Sequence, residues 1–127
     1  MSTLEAVMTT QEVANRFAQL CRENKWNEIQ DELYADNAVS IEPPHATAMG
    51  LKNVEGLDAI KKKGEAFNSM VEEVHGGSAS EPVVGGNYFS VAMMMDATMK
   101  GAGRSKMDEI AVYEVKNGKI VREQFFF

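Results

Sequence analysis

"VYEVKNGKIVREQFFF", residues 112–127, is two runs of strand-forming residues on either side of Asn117-Gly118. Asn-Gly in that setting is a strong hairpin signal, because both positions accept the left-handed backbone that a tight turn requires. The reading is a strand over residues 105–116 and a last strand over 119–127. Two registers are open. A two-residue loop pairs Tyr113 with Arg122 and Glu109 with Phe126. A type I turn with Gly118 as a left-handed bulge shifts the pairing by one, placing Glu109, Ala111, Tyr113, Val121, Glu123, Phe125 and Phe127 on one face. The second is preferred, because it separates a mostly apolar and aromatic set from one holding Asp108, Glu114, Arg122 and Gln124. Three consecutive aromatics exceed what one buried face holds, so Phe126 is expected on the opposite face, against another subunit.

Upstream, residues 87–100, "NYFSVAMMMDATMK", set Phe89, Val91, Met93 and Met95 against Ser90, Ala92, Asp96 and Thr98. That alternation predicts a strand with one covered face, turning at Gly101-Ala102-Gly103. The first half of the chain is helical in pattern. Thr9-Thr10-Gln11-Glu12 fits a capping box, so a helix begins near Thr10, and Val13, Phe17, Leu20 and Cys21 form its apolar face. Trp26, Ile29 and Leu33 give a shorter second helix, which Tyr34-Ala35-Asp36-Asn37 ends before a short strand, "AVSIE". Residues 43–56 hold two prolines and two glycines and read as a loop or flap. Leu57, Ile60, Gly64, Phe67, Val71 and Val74 then define a third helix, with His75 capping its end by favourable interaction with the helix dipole. Three helices with one short strand among them, followed by a run of antiparallel strands, make residues 1–127 a single α+β domain with the helices on one face of a curved sheet.

Composition narrows the function. Of 127 residues, 44% are apolar, enough for one core. Thirteen basic against 19 acidic residues leave a net charge of −6, and the one dense basic run, Lys61-Lys62-Lys63, reads as a solvated helix face, so nucleic acid is not expected as a partner. No apolar run approaches the roughly 18 residues of a membrane helix, and "MSTLEAVMTT" lacks the pattern of a signal peptide. The expectation is a soluble, cytoplasmic protein without membrane contact. Cys21, the single cysteine, is expected to be a buried structural thiol, and no His, Cys or Asp/Glu set has metal-ligand spacing. Neither metal nor cofactor is called for.

The preferred hairpin register puts Glu109 and Glu123 on a face otherwise lined by Tyr113, Phe125, Phe127, Phe89 and methionines. A carboxylate among hydrocarbon must find a partner or hold its proton more tightly. Each is therefore either shielded structure, with Glu123 paired to Arg104, Arg122 or a helix lysine, or an acid in a pocket.

Three stretches in this order, "FAQLCRENKWNEIQDELYADNAVSIEPP" (17–44), "GLDAIKKKGEAF" (56–67) and the hairpin above, resemble the SnoaL-like group of the superfamily that includes nuclear transport factor 2, ketosteroid isomerase and scytalone dehydratase. The resemblance runs from about Thr9 to Phe127. It implies a cone: a bent antiparallel sheet around an apolar cavity, plugged by the three helices and often dimeric through the sheet. The helices would line that cavity with Phe17, Trp26 and Phe67. The strands would contribute Phe89, Val91, Met93, Met95, Phe125 and Phe127, and nine methionines suit an adaptable lining. In ketosteroid isomerase the base is an Asp before a proline at the end of the first strand, and the matching position is Glu42 before Pro43. The tyrosine and strand acid that hold the oxyanion there fall at Phe17 or Ala18 and near Ala111, so steroid isomerase activity is not expected. Cyclases of the SnoaL type need an acid/base carboxyl and a shaped cavity, for which Glu42, Glu109 and Glu123 are candidates, with Tyr113 as a donor.

The resulting expectation is a homodimeric protein with a cavity for an apolar, carbonyl-bearing small molecule. It would be an isomerase, cyclase or dehydratase working through carboxylates, or else a binding or dimerisation module without catalysis.

Overall fold

A computed structural model describes residues 7–127; the first six residues of the single domain expected above lie outside the described residues. Helix α1 spans Thr10–Arg22, and its start is the capping box: the Thr9 hydroxyl accepts from the Glu12 amide at 3.1 Å, while the Glu12 carboxylate accepts from the Thr9 amide at 2.9 Å. Its apolar stripe buries Val13, Phe17 and Leu20. Asn24, in a left-handed conformation (φ 57°), turns the chain into α2, Trp26–Leu33. Arg16 and Glu32 fasten the two helices by a two-pronged ion pair.

Strand β1 begins directly at Tyr34 and runs to Ile41, so the segment read as a helix exit is already extended. After Pro43 comes a 3-10 helix, Pro44–Met49, then the two-residue strand β2, Val54–Glu55, and helix α3, Leu57–Ser69. Here the helical reading overshot. Val71 and Val74 lie in strand β3, Val71–Ala79, paired with Met99 and Ala97, and Val74 is exposed. His75 therefore caps no helix; its Nε2 lies 2.7 Å from the Thr98 hydroxyl across the sheet. Strands β4 (Val83–Gly85), β5 (Tyr88–Met99), β6 (Gly103–Lys116) and β7 (Lys119–Phe126) complete the chain.

The sheet order is β2-β1-β7-β6-β5-β3, with β4 also on β5, and every pairing is antiparallel except β1 with β7, which is parallel. Helix α1 packs across β5 and β6, whereas α2 and α3 lie against β1. The fold is thus α+β, an open curved sheet holding its helices on one side.

The closing hairpin combines features of both registers. Asn117 (φ 50°) and Gly118 (φ 73°) form a two-residue loop that pairs Lys116 with Lys119 and Val115 with Ile120. The pairing then slips, so that Glu114 faces Arg122 and Tyr113 faces Glu123. The extra residue is Val121, not Gly118: the bulge sits beyond the turn, and Val121 itself drops out of the inner row. The shared face of Ala111, Tyr113, Glu123 and Phe125 follows from that slip.

The core forms where this face meets α1. The rings of Phe17, Phe89 and Tyr113 lie within 4.8–5.4 Å of one another, centroid to centroid. Cys21 is only half-buried at the edge of this core, and burial pushes its thiol up to about 11, which leaves it a poor nucleophile at neutral pH.

Candidate active site

Alternation along β1 points Ala38 and Ser40 inward, and the parallel register sets Ser40 beside Glu123. Glu123 is 5% exposed, yet both its oxygens are satisfied. Ser40 donates to one at 2.6 Å, and the buried Tyr34 hydroxyl donates to the other. Burial raises the Glu123 pKa, while the bonds from Ser40 and Tyr34 and the nearby Lys63 pull it back. The Tyr34 and Tyr113 hydroxyls are held well above their usual range by burial and then by the Glu123 charge.

Lys63 reaches this group from α3. Its ammonium donates to Ser40 Oγ at 2.5 Å and to Glu42 Oε2 at 2.7 Å, with side chains only 12% and 6% exposed. Asn53 accepts from the Glu42 amide at 2.7 Å, fixing the strand end where Pro43 stops the ladder. The Phe125 ring lies 5.7 Å from the ammonium. The lysine run is thus not one solvated face: Lys61 pairs with Asp31 and Lys62 is exposed, but Lys63 turns inward.

Glu109 occupies the inner row of β6, opposite Met93. Among the described residues its carboxyl has neither hydrogen bond nor ion pair. Its pKa is raised to about 7, first by burial and then by the charges of Glu42 and Glu123, against the pull of Lys63. One carboxyl is therefore poised near neutrality beside a second paired with a lysine and a third held by hydroxyls. Carboxyls in such unequal environments can give up and take back a proton near neutral pH.

Of the residues expected to act, Glu42, Glu109 and Glu123 come together, and Tyr113 faces Glu123 while stacking in the core. Phe17, Phe89 and Val91 are at most 2% exposed and fill the core. Phe67, Met93 and Met95 are half-buried on α3 and β5, and Phe125 packs on the core beside Lys63. Phe127, 40% exposed, meets His45 edge to face. Trp26 is 45% exposed and stands outside the core cluster, so α2 gives the site no tryptophan wall. Glu123 pairs with neither Arg104, which grips Asp96, nor Arg122, which bonds Gln124.

Tyr34, Ser40 and Lys63 were not anticipated. Ser40 has the parity of Glu42 in the same strand. Lys63 follows Ile60 by three residues and precedes Phe67 by four, which places it on the buried stripe.

Among the described residues the surface carries open grooves, two of which border these elements. One, of about 480 Å³, is lined by Ala92, Met94, Ile110 and Phe126 of the outer face and touches the cluster only at Glu109. The other, of about 730 Å³, lies between the start of α1 and the closing hairpin. Among the described residues no His, Cys, Asp or Glu set could hold a metal ion, and no helix is long and apolar enough to cross a membrane.

An open curved sheet that holds its helices on one side is the cystatin-like or nuclear transport factor 2-like class of fold. Within that class the chain belongs to the SnoaL-like family, whose domain matches residues 8–127. A candidate SnoaL-like polyketide cyclase from Mesorhizobium loti is 33% identical, over 94% of this chain and 100% of its own, with a TM-score of 0.84. A nuclear transport factor 2-like protein of unknown function from Burkholderia pseudomallei is 14% identical over 93% and 89%, with a TM-score of 0.74. A candidate isomerase from Bacillus subtilis is 23% identical over 93% and 88%, with a TM-score of 0.68. These last two share the fold. No functionally curated protein matches the chain.

Proposed function

We propose that this protein is a small acid/base enzyme that enolises an apolar, carbonyl-bearing molecule, as an isomerase, cyclase or dehydratase, with Glu109 as the group that takes and returns the proton. The observation that carries this reading is the unpartnered Glu109 carboxyl, set beside the Lys63–Glu42 pair and the hydroxyl-bound Glu123 on an otherwise apolar face. A carboxyl whose pKa lies near the working pH is present in both forms and can serve as acid and base in one cycle. The resemblance to a candidate polyketide cyclase supports the same class of chemistry. Glu42 and Glu123 set the field around Glu109, and Phe125, Met93 and Met95 are the apolar contacts for the substrate.

The test needs no natural substrate. In deuterated buffer, wild-type protein should accelerate exchange at the α-carbon of one or more members of a panel of apolar ketones and diketones, followed by proton NMR, and Glu109→Gln should abolish the acceleration. A Glu109→Gln variant that exchanges as fast as wild type removes Glu109 from the role.

The same proposal includes a homodimer through the outer sheet face, supported by the exposed neighbours Ile110 and Phe126, 50% and 49% accessible and paired across β6 and β7. A concentration-independent monomer in sedimentation would overturn it. A cytoplasmic location completes the reading, in keeping with a lone thiol that requires no oxidising compartment.

A further inference from the structure

We propose that Lys63 is the electrophile of this site, its ammonium receiving the oxygen on which negative charge develops as the substrate carbonyl enolises. The inference rests on the acid/base reading above and adds what that reading lacks, a donor for the oxyanion. Phe17 and Ala111, at the places where a hydroxyl and an acid would be sought, offer none.

Three observations carry it. Lys63 is the cation that acts on all three carboxyls, bonded to Glu42 and close enough to Glu109 and Glu123 to oppose the rise in both their pKa values. Its bonds are unequal: two N–H groups are engaged at 2.5 and 2.7 Å, whereas the third reaches only the Lys52 carbonyl at 3.5 Å. A bond that long is weak, and a charged oxygen would displace it readily. Finally, the ammonium is held in place before any substrate arrives. Ser40 and Glu42 fix it from two directions, Asn53 fixes Glu42, and the Phe125 ring supplies an apolar wall. A donor fixed in a partly desolvated site needs little reorganisation as charge appears.

The step balances without redox chemistry. The Glu109 carboxylate takes the α-proton, and the C–H electron pair becomes the new C=C bond. The carbonyl π pair moves onto oxygen, where the Lys63 ammonium holds it without giving up a proton. Return of the proton from Glu109 to the same or another carbon closes the cycle.

A spectroscopic test uses 2-naphthol, an apolar ring whose hydroxyl ionises in the range of tyrosine and whose anion stands in for an enolate. On the wild-type protein the bound probe should ionise more readily than the free one, read from the anion's absorption across a pH series. Lys63→Met should weaken that ionisation by about 10- to 100-fold, the worth of one charged hydrogen bond, while Lys63→Arg keeps part of it. The double variant Lys63→Met/Glu42→Gln removes both members of the ion pair, one charge of each sign, and so does not strand the Glu42 carboxylate. It should fold, bind the probe and fail to ionise it. If naphthol ionises equally in wild type and in the double variant, Lys63 is a structural ion-pair partner and the acid/base reading of Glu109 stands without it. If wild type does not bind naphthol at all, the apolar site is wrong and this inference falls with it.

Discussion

The aromatic core and the polar cluster share strands β6 and β7 and meet where Tyr113 faces Glu123, yet they are held by opposite physics. In the core, Phe17, Leu20, Phe89 and Ile120 are at most 1% exposed, and each gains free energy simply by leaving water. In the cluster every buried charge needs an answer: Glu123 has two hydroxyls, Glu42 has Lys63, and Glu109 has a raised pKa in place of a partner. A packed hydrocarbon set of similar volume would be no less stable there. The core therefore accounts for the stability of the fold, and the cluster, which adds little to it, is where the proposed chemistry is sought.

The sharpest way to break that contrast is to cut into the core. Phe17→Ala should destabilise the protein by about 3–5 kcal/mol, measured by urea unfolding, because the ring touches both Phe89 and Tyr113 and leaves a void that they cannot fill. A loss under about 1 kcal/mol would mean that Phe17 borders an open cavity, in line with its expected place in a ligand pocket. Next comes the ion pair. Lys63→Met should lower stability by about 3 kcal/mol by stranding Glu42, and adding Glu42→Gln should restore most of it. If the double variant is as unstable as the single one, the damage lies in packing on α3 and not in charge.

Much of this arrangement was legible in the sequence, and the misreadings have physical causes. The Thr9–Glu12 capping box and the Asn117-Gly118 hairpin are local motifs, so their geometry does not depend on distant contacts. The Val121 bulge is not local. The slip places Glu123 and Phe125 opposite inward-facing Tyr113 and Ala111, and only that tertiary demand selects it over the simple ladder. Val71 and Val74, three residues apart, fit a helical spacing and not the period of two of a regular strand; pairing with β5, whose register slips between Val71 and Glu73, overrides that local pattern. Trp26 shares the helical spacing of Ile29 and Leu33, but it is the first residue of the short helix α2 and stands 45% exposed where they are buried. Lys63 was hidden by its neighbours. In a run of three lysines, only the phase relative to Ile60 and Phe67 tells which one turns inward, and composition makes all three look solvated.

Glu109 offers the finest test of the contrast, because its state changes with pH while the core's does not. In the unfolded chain it ionises near 4.5, and in the folded protein near 7. Below pH 4.5 both states hold the proton, and the group does not affect the balance. Between 4.5 and 7 the folded state holds more protons than the unfolded one, so its contribution to stability declines as pH rises and stays low above 7. Glu109→Gln, neutral at every pH, should therefore be more stable than wild type by about 1–2 kcal/mol at pH 8, a figure reduced for the partial exposure of the carboxyl, with the gain vanishing by about pH 4. Melting curves of the two proteins across that range test the point. Parallel curves would show that Glu109 ionises in the folded protein as it does in water, and the cluster would lose its one poised proton. Curves that cross in the opposite sense, with the variant weaker at pH 8, would show that the carboxylate is paired with Lys63 in solution, making it part of the scaffold and no longer the group free to act.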